Sequence, residues 1–512
     1  MLTALTSSDA PHAPSFPARR RRLRSSIVDG GWEPLFVFAA TLVVTMAWSW
    51  VPSFWYDEAA TLQLARLPLP EFVGFVRHRD AVHGLYAFVM HGWIHVFGAS
   101  EFSVRFPSAL AVAVGATGVF HLGRRWFGTA AGVLAALIFV VLPRMTTQGV
   151  EARSYAMATT LLIVAAVLVA AARERRGWAL RVAVTGAAAA AVWMFAYALF
   201  VLPALALLAD DTSLPGRTRI RRASAVLAVP GILAVPLVLT MIAQRGQVAW
   251  LAAQDVNPYT VLIEPMFGSA FWVPIGWALL CAVAVRAGRR VTLSRPVVSL
   301  LAWLCLPGTV LVVLSLAGTP VFTPRYLTMC APALALLGGS LIGAARRRVV
   351  IAACVLVCVL SVPHYVASRL PTAKPGATDL RAATSFIAAH ARPGDAFLLE
   401  ASGPGGTRPR VAIAAYPHAF AGLRDIAFAS SYVDTGTYSD TLVEPTFTKI
   451  AIDADIWVAT RDGSAFAQQL AEHGYAQASI REVGGLTVGE WRREDARAAH
   501  GAGSRVRPIA LG

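Results

Sequence analysis

The sequence predicts an α-helical polytopic membrane protein of about eleven transmembrane helices, followed by a C-terminal extracytoplasmic α/β domain. Hydrophobic residues occupy 56% of the 512 positions and charged residues only 14%, with a mean hydropathy of +0.58. Soluble globular chains rarely combine these values. Apolar runs of spanning length recur up to about residue 367, and after Ser368 their density falls while Pro and Gly become more frequent.

Four segments are predicted along the chain. They are a cytoplasmic basic tail (1–31), a transmembrane module with its outer loops (32–367), an extracytoplasmic α/β domain (368–491) and a flexible tail (492–512). The first apolar run, from about Trp32 to Val51, is long for a signal-peptide core and has no clean cleavage site after it. It is therefore predicted to be a retained first span.

A transmembrane helix needs about 20 apolar residues. The runs of this kind lie near 33–51, 103–123, 128–143, 155–172, 181–196, 197–209, 223–242, 267–285, 297–316, 327–345 and 349–367. Residues 181–208 could instead form one long helix. The segment from Gly84 to Gly98 is expected to lie along the membrane, because a crossing there would move Arg124 and Arg125 to the outside.

Arginine clusters between the spans set the predicted orientation. With a cytoplasmic start, every strongly basic cluster falls on the cytoplasmic side, as the positive-inside rule requires. The clusters are Arg124 and Arg125; Arg173, Arg175 and Arg176; Arg217, Arg219, Arg221 and Arg222; Arg286, Arg289, Arg290 and Arg295; and Arg346 to Arg348. The net charge of +16 therefore indicates membrane topology, and no nucleic-acid partner is expected.

The segment after Ser368 shows the short alternating elements of a small α/β domain. A helix near 379–390, capped by Thr378, and a second helix over 464–473 are predicted. Strands are predicted at 396–399, 455–460 and 486–491. The glycine-rich stretch 403–406 is expected to be a plain loop.

Acidic residues are scarce, and several gather on the predicted outer face. Asp57 and Glu58 follow the first span, Asp80 and His83 lie further along the same loop, and Glu151 opens the second outer turn. Charges placed against apolar segments are costly unless a partner or substrate offsets their desolvation. These positions are therefore candidates for a site, although each residue alone could simply solvate the end of a loop.

Four arginines on the outer side run against the positive-inside rule: Arg144, Arg153, Arg245 and Arg325. The planar guanidinium group binds phosphate oxygens in a bidentate way and stays charged. A phosphate at headgroup depth would explain the arginines, and structural pairing with Glu151 or Asp57 is the alternative. An acid pair with such arginines favours group transfer from a lipid phosphate, in which a carboxylate deprotonates the acceptor hydroxyl and arginine stabilises the leaving phosphate. A single displacement of this kind inverts the anomeric centre.

Several motifs in the first 345 residues resemble the glycosyltransferase-C superfamily, specifically its protein O-mannosyltransferases, aminoarabinose transferases and actinobacterial polyprenol-phosphate-sugar transferases. The motifs are Trp55-Tyr56-Asp57-Glu58, Glu101 with Arg105-Phe106-Pro107-Ser108-Ala109-Leu110, Glu151-Ala152-Arg153-Ser154-Tyr155, and Arg325-Tyr326 followed by Pro332. The resemblance implies that residues 32–367 form a glycosyltransferase-C module with outer catalytic loops. At His83-Gly84-Leu85-Tyr86, where relatives often carry His-Pro-Pro and then an aromatic residue, both prolines are replaced.

The resemblance also implies roles for individual residues. Asp57 would be the catalytic base, and Glu58 would help to organise the acceptor site. The donor phosphate would be bound by Arg325, Arg153 and Tyr326, while the acceptor or the cavity would be lined by Glu151, His83, Tyr86 and Tyr155. No metal ligand is assigned, although some members of the superfamily use a divalent metal.

The expected donor is a polyprenyl-phosphate sugar, with mannose or arabinose as the sugar. The acceptor would be a glycolipid, a polysaccharide or a protein. The protein is expected in the cytoplasmic (inner) membrane, with the active site and the C-terminal domain facing outside. Three alternatives stay open: a transporter or flippase of a lipid-linked cell-envelope precursor, a non-catalytic membrane scaffold, and a polymerase or ligase that uses a lipid diphosphate donor.

Overall fold

The computed structural model describes residues 31–174, 177–210, 215–286, 293–403, 407–447, 450–451, 454–463 and 465–494. The predicted basic tail therefore lies almost entirely outside the described residues. The same is true of Arg175, Arg176, Arg289 and Arg290 and of most of the predicted flexible tail.

Helices dominate the first 367 residues. In chain order the described ones are α1 (Glu33–Met46), α2 (Tyr56–Arg66), α3 (Leu69–His78), α4 (Gly84–Phe97), α5 (Glu101–Phe127), α6 (Thr129–Val141), α7 (Pro143–Gln148), α8 (Tyr155–Ala172), α9 (Trp178–Met194), α10 (Leu202–Ala209), α11 (Gly216–Ala243), α12 (Pro258–Leu262), α13 (Glu264–Phe267), α14 (Trp272–Arg286), α15 (Arg295–Leu316), α16 (Ala331–Gly343) and α17 (Arg347–Ala367). Short 3-10 turns occur at Ala81–His83, Ala196–Val201, Arg245–Ala253 and Pro324–Cys330.

Each of the predicted apolar segments contains a helix. In the part of the chain that the structure describes, six helical segments are long and apolar enough to cross a membrane on their own, and α1, α6, α9 and the segment Ala196–Ala209 are shorter apolar helices. The run 181–208 is not one helix, because Phe195 is extended (φ −157°, ψ 108°) between α9 and the turn that leads into α10. The multi-span helical prediction is confirmed.

Small residues allow the central helices to pack closely. A Cβ atom at Gly343 of α16 would lie 2.4 Å from the Cα of Ala131 in α6. A Cβ atom at Gly132 of α6 would lie 2.7 Å from the backbone nitrogen of Arg124 in α5. Such contacts are typical of helices that associate in lipid, where close van der Waals packing replaces the hydrophobic drive. Large apolar side chains such as Leu35, Ile232 and Leu316 are exposed on the outside of the bundle, as lipid-facing residues would be.

The chain after α17 forms a mixed sheet with helices. Its described elements are α18 (Leu380–His390), β1 (Ala396–Leu399), α19 (Val411–Ala415), β2 (Arg424–Asp425), β3 (Phe428–Ser430), α20 (Tyr432–Thr435), β4 (Thr441–Leu442), β5 (Ile456–Thr460), α21 (Ala467–Glu472), β6 (Tyr475–Val483) and β7 (Leu486–Arg493). The main sheet has the order β2-β1-β5-β7-β6. Strand β1 is parallel to β2 and β5, whereas β7 is antiparallel to β5 and β6. The predicted α/β fold of this region is confirmed.

Several details of this region differ from the sequence prediction. The short elements α19, β2, β3, α20 and β4 were not predicted, and the predicted helix 464–473 is observed as α21 (Ala467–Glu472). Helix α18 is capped by Asp379 rather than Thr378, because the Asp379 Oδ1 atom accepts a hydrogen bond from the Ala382 amide at 3.1 Å. Strand β6 was not predicted, since Tyr475–Val483 has few β-branched residues and is partly exposed at the sheet edge. Strand β7 continues to Arg493, slightly beyond the predicted start of the flexible tail, and residues 404–406 of the glycine-rich stretch lie outside the described range.

The C-terminal region is anchored to the loop that precedes α2. The guanidinium group of Arg381 donates to the carbonyls of Trp50 (2.8 Å) and Val51 (2.6 Å). The Tyr416 hydroxyl accepts from the Phe54 amide (2.9 Å) and donates to Glu101 at the start of α5 (2.8 Å). These bonds fix the backbone just before the acidic pair.

Candidate active site

The acidic pair lies in the first turn of α2, and Asp57 faces two arginines from distant segments. Arg325 Nη1 lies 2.6 Å from Asp57 Oδ2, and Arg153 Nε lies 3.8 Å from the same oxygen. All three side chains are mostly buried, although that of Arg325 keeps 22% of its surface exposed. Two cations therefore converge on one carboxylate.

Both arginines retain an unsatisfied donor. The Nε atoms of Arg153 and Arg325 are buried and have no hydrogen-bond partner among the described residues. Arg153 Nη1 makes only long contacts, to the Asp57 carbonyl (3.5 Å) and to Thr61 Oγ1 (3.4 Å). An unpaired buried N–H is costly, so the pair of guanidinium groups is suited to an anionic ligand.

Glu58 faces away from Asp57 and is completely buried against Arg105 of α5. Arg105 donates from Nε to Oε1 (2.8 Å) and from Nη2 to Oε2 (2.7 Å), a bidentate pair in which neither side chain is exposed. The Ala152 amide also donates to Oε1 (3.0 Å). Glu58 thus joins the start of α2 to α5 and to the turn that carries Arg153.

The same arginine organises the chain before α2. Arg105 Nη1 donates to the carbonyls of Ser49 (2.6 Å) and Pro52 (2.8 Å), and Nη2 donates to Ser53 (3.2 Å). Its side chain also lies over the Phe54 ring, 5.4 Å from the centroid. Arg105 therefore fixes the loop that delivers Asp57.

Lys374, which follows α17, lies beside Glu58. It is one of two lysines in the chain, and its ammonium group donates to the Val150 carbonyl (2.9 Å) and lies 3.8 Å from Glu58 Oε2. Burial lowers the pKa of Lys374, and Glu58 opposes that shift. Burial alone would raise the pKa of Glu58, but Arg105 and Lys374 outweigh it and hold this pKa below its usual value.

An aromatic wall flanks the arginines. The Tyr155 ring lies 5.1 Å from Phe195 and 6.2 Å from Tyr326, and Tyr326 lies 5.2 Å from Tyr197. The Tyr155 hydroxyl is buried without a hydrogen-bond partner among the described residues. This wall is suited to a ligand that has both apolar and polar parts.

His83 lies at the edge of this wall. Its Nδ1 atom is 3.0 Å from Ser154 Oγ, and its ring stacks on Phe195 at a centroid distance of 6.4 Å. Burial, with the nearby charges of Arg153 and Arg325, holds the pKa of His83 well below its usual value of 6.5. The imidazole is therefore neutral at pH 7.

Glu151 and Tyr86, two further predicted cavity residues, are also buried. Glu151 Oε2 accepts from Gln148 Nε2 (2.9 Å), and its carbonyl accepts from Ser108 Oγ (2.7 Å). Burial raises the pKa of Glu151, while Lys374 opposes the rise. The Tyr86 hydroxyl is buried and lacks a hydrogen-bond partner in the described structure.

Only two of the four arginines that were predicted to lie on the outer side contact Asp57, namely Arg153 and Arg325. Arg144 donates to the backbone carbonyls of Pro265 (2.6 Å) and Glu264 (2.9 Å), which is a structural role. Arg245 is exposed. From the sequence, Arg105 had no expected role beyond its place in a motif, and Lys374 was not expected in the site. The rarity of lysine in this arginine-rich chain was the only available signal for Lys374.

The carboxylates offer a poor fit for a metal ion. Asp57 and Glu58 already face guanidinium groups. Within the residues that the structure describes, no group of three or more His, Cys, Asp and Glu side chains has a geometry that could hold a metal ion.

Comparison with known proteins places this arrangement in context. Residues 84–244 match the family described as dolichyl-phosphate-mannose-protein mannosyltransferases. ArnT from Cupriavidus metallidurans, in a crystal structure bound to undecaprenyl phosphate, superimposes with a TM-score of 0.56 at 14% identity, over 90% of this chain and 98% of that chain. ArnT from Cupriavidus metallidurans in the apo state gives a TM-score of 0.55 at 15% identity, over 89% of this chain and 97% of that chain. No curated protein sequence matches the chain.

These findings confirm the glycosyltransferase-C resemblance and the predicted fold class, a multi-span helical module with a C-terminal α/β region. The family match over residues 84–244 agrees with the predicted enzyme class, a membrane glycosyltransferase of the glycosyltransferase-C type.

Proposed function

We propose that this glycosyltransferase-C-type protein is an inverting transferase that moves a sugar, mannose or arabinose, from a polyprenyl-phosphate donor to an acceptor on the outer face of the cytoplasmic membrane. Asp57 is its base. The observation that carries the proposal is the convergence of Arg325 and Arg153, each with an unpaired buried Nε, on the Asp57 carboxylate.

The donor phosphate is assigned to the two arginines. A phosphate there would share Arg325 with Asp57, because the guanidinium group has five N–H donors and only one contacts Asp57 closely. The arginines neutralise the charge that develops on the leaving phosphate. Tyr326 belongs to the adjoining aromatic wall and flanks the donor.

The reaction is a single displacement. Asp57 takes the proton from the acceptor hydroxyl, the hydroxyl oxygen bonds to the anomeric carbon, and the bond from that carbon to the phosphate oxygen breaks. The electron pair of that bond leaves with polyprenyl phosphate, so the anomeric configuration is inverted. Glu58 acts through position, since its carboxylate is occupied by Arg105. His83, Glu151, Tyr86 and Tyr155 shape the cavity.

Transfer of radiolabelled sugar from a panel of polyprenyl-phosphate sugars tests the proposal, using membranes that carry wild type, Asp57→Asn or Glu71→Gln at matched expression. Glu71 is an exposed carboxylate on the neighbouring α3 and serves as the control. Labelled product should form with wild type and Glu71→Gln, and fall about 10²- to 10⁴-fold with Asp57→Asn, the usual range for a lost general base.

Unchanged transfer by Asp57→Asn would remove the assigned base. Movement of the intact labelled lipid across the bilayer without transfer, in the same membranes, would favour the flippase alternative instead.

A further inference from the structure

A cleft of about 440 Å³ lies between part of α2 and the C-terminal region. The α2 side is one helix face formed by Tyr56, Ala59, Gln63 and Arg66, whose spacing of three, four and three residues places them in line. Asp57 lies on a different face of the same helix, toward Arg153 and Arg325. The cleft is thus distinct from the proposed donor site, and its volume suits a small ligand.

The facing wall comes from the C-terminal region and is cationic and aromatic. It includes Arg408, Arg410, Tyr432 and Tyr438. Arg410 is neutralised, since it pairs with Asp425 and lies 3.7 Å from Asp440. Tyr438 is held in position by contacts outside the cleft. Its hydroxyl donates to Asp80 at 2.6 Å, and its ring centroid lies 5.2 Å from that of Phe75.

Two further arginines of the cleft lack a carboxylate partner. Arg66 donates to the Ala414 carbonyl at 2.7 Å, and Arg408 donates to the Gly403 carbonyl at 2.7 Å. Among the described residues, no acidic side chain lies within 4.0 Å of either one. Each guanidinium group has five donors, so both keep donors for an anion that enters the cleft.

Tyr56 connects the cleft to the proposed reaction centre. It directly precedes Asp57 and lines the cleft. Burial and then the charge of Asp57 raise the pKa of Tyr56, while Arg408, Arg79 and Arg153 oppose the rise. Because Tyr56 lines the cleft and directly precedes Asp57, the cleft and the proposed donor site lie next to each other at the first turn of α2.

We propose that this cleft binds the anionic part of the acceptor, a phosphate or carboxylate carried by a glycan, while the reacting hydroxyl reaches Asp57 past Tyr56. Arg66 and Arg408 hold the anion, Tyr56, Tyr432 and Tyr438 offer ring faces to the sugar, and Tyr56 also offers its hydroxyl. This inference rests on the proposed function, because only a transferase has an acceptor. The C-terminal region then becomes the element that selects the acceptor by charge.

Binding to the purified full chain in nanodiscs of neutral lipid tests the proposal, with mannose 6-phosphate and methyl mannoside as probes. Wild type should prefer the charged probe at least tenfold. The variants Arg408→Gln and Arg66→Gln/Arg408→Gln should lose roughly ten- to hundredfold in affinity for it, as expected for lost charge-assisted bonds. Arg481→Gln, on exposed β6 outside the cleft, is the matched control and should bind as wild type does.

If the double variant fails to fold because it loses the Arg66 bond to Ala414, the single variant Arg408→Gln still tests the proposal. A dodecyl-linked mannose 6-phosphate distinguishes the source of the anion: tighter binding than the lipid-free probe assigns a glycolipid acceptor, and equal binding assigns a lipid-free glycan. Equal affinity of wild type for charged and neutral probes, or an unchanged preference in Arg408→Gln, would overturn the proposal. Binding of undecaprenyl phosphate to the same samples tests the donor site separately, and its affinity should be equal in all variants. If wild type did not bind undecaprenyl phosphate, the result would count against the proposed function and not against the cleft.

Discussion

Replacing Glu58 by glutamine should destabilise the protein strongly, because it leaves the Arg105 charge buried without a counter-ion. Neither side chain is exposed, and the two hydrogen bonds between them are 2.8 and 2.7 Å long. Glutamine keeps one acceptor, but its amide nitrogen would face a guanidinium N–H. Breaking a fully buried ion pair from one side costs about 3–5 kcal/mol. The three carbonyls that also bind Arg105 place the expected loss at the lower end, about 3 kcal/mol.

The assay is equilibrium unfolding of the purified protein in mixed micelles, with Glu101→Gln as the matched control. Glu101 also pairs with an arginine, but 35% of the Arg381 side chain and 12% of the Glu101 side chain are exposed. Solvent screens such a pair, so the control should lose only about 1 kcal/mol or less. If Glu58→Gln lost no more stability than Glu101→Gln, the assignment of Glu58 as the buried anchor would be refuted.

A double substitution separates burial from geometry. Glu58→Leu with Arg105→Met removes both charges and keeps much of the volume, and apolar replacement of a whole buried pair is often neutral. The double variant should therefore be more stable than the sum of the single losses predicts, by about 0.5–3 kcal/mol of coupling. Additive losses would show that the pair contributes only through its separate contacts.

Two further predictions concern the cluster around Asp57. Arg325→Lys keeps the charge but loses the planar guanidinium group, so kcat/KM for transfer should fall about ten- to hundredfold. Titration of the donor should show that most of this loss is a higher donor KM. An unchanged donor KM would exclude Arg325 from the phosphate site. His83 has a folded-state pKa well below 6.5, so the unfolded chain binds a proton near pH 6.5 that the folded protein does not. The free energy of unfolding should then fall as pH drops below about 6.5. Thermal unfolding between pH 7.5 and 5.5 should show a weaker pH dependence for His83→Gln than for wild type. An identical pH profile in the variant would contradict this prediction.

The apolar runs predicted the helices well because a span must contain about 20 apolar residues in sequence, a local property. The sequence also predicted one site for Asp57, Arg153 and Arg325, because all three were expected at span ends on one side of the membrane. The structure brings the three side chains together, and their roles and their side of the membrane stay predictions. The sequence did not predict which hydrogen-bond partner each of these arginines would have. Arg144 and Arg153 are alike in sequence, yet one binds carbonyls and the other faces Asp57.

Long-range pairing explains what the sequence missed. Lys374 meets the Val150 carbonyl across 224 residues, and no periodicity links two such positions. Strand β6 escaped prediction because its pairing with β7 compensates for weak intrinsic strand preference, as tertiary contacts often do. Helix α4 matches the segment Gly84–Gly98 in extent, and its position along the membrane stays a prediction.

The burial of Lys374 beside Glu58 has a consequence for biogenesis. A ribosome adds roughly 5–20 residues per second and a chain folds from its N-terminus onward, so α2 is synthesised long before this lysine. Until residue 374 emerges, the Val150 carbonyl lacks its ammonium donor and the Glu58 carboxylate lacks its second cation. The contacts around Glu58 are therefore completed only after α1 to α17 have been made, and a ribosome stalled before codon 374 would leave an inserted chain without them.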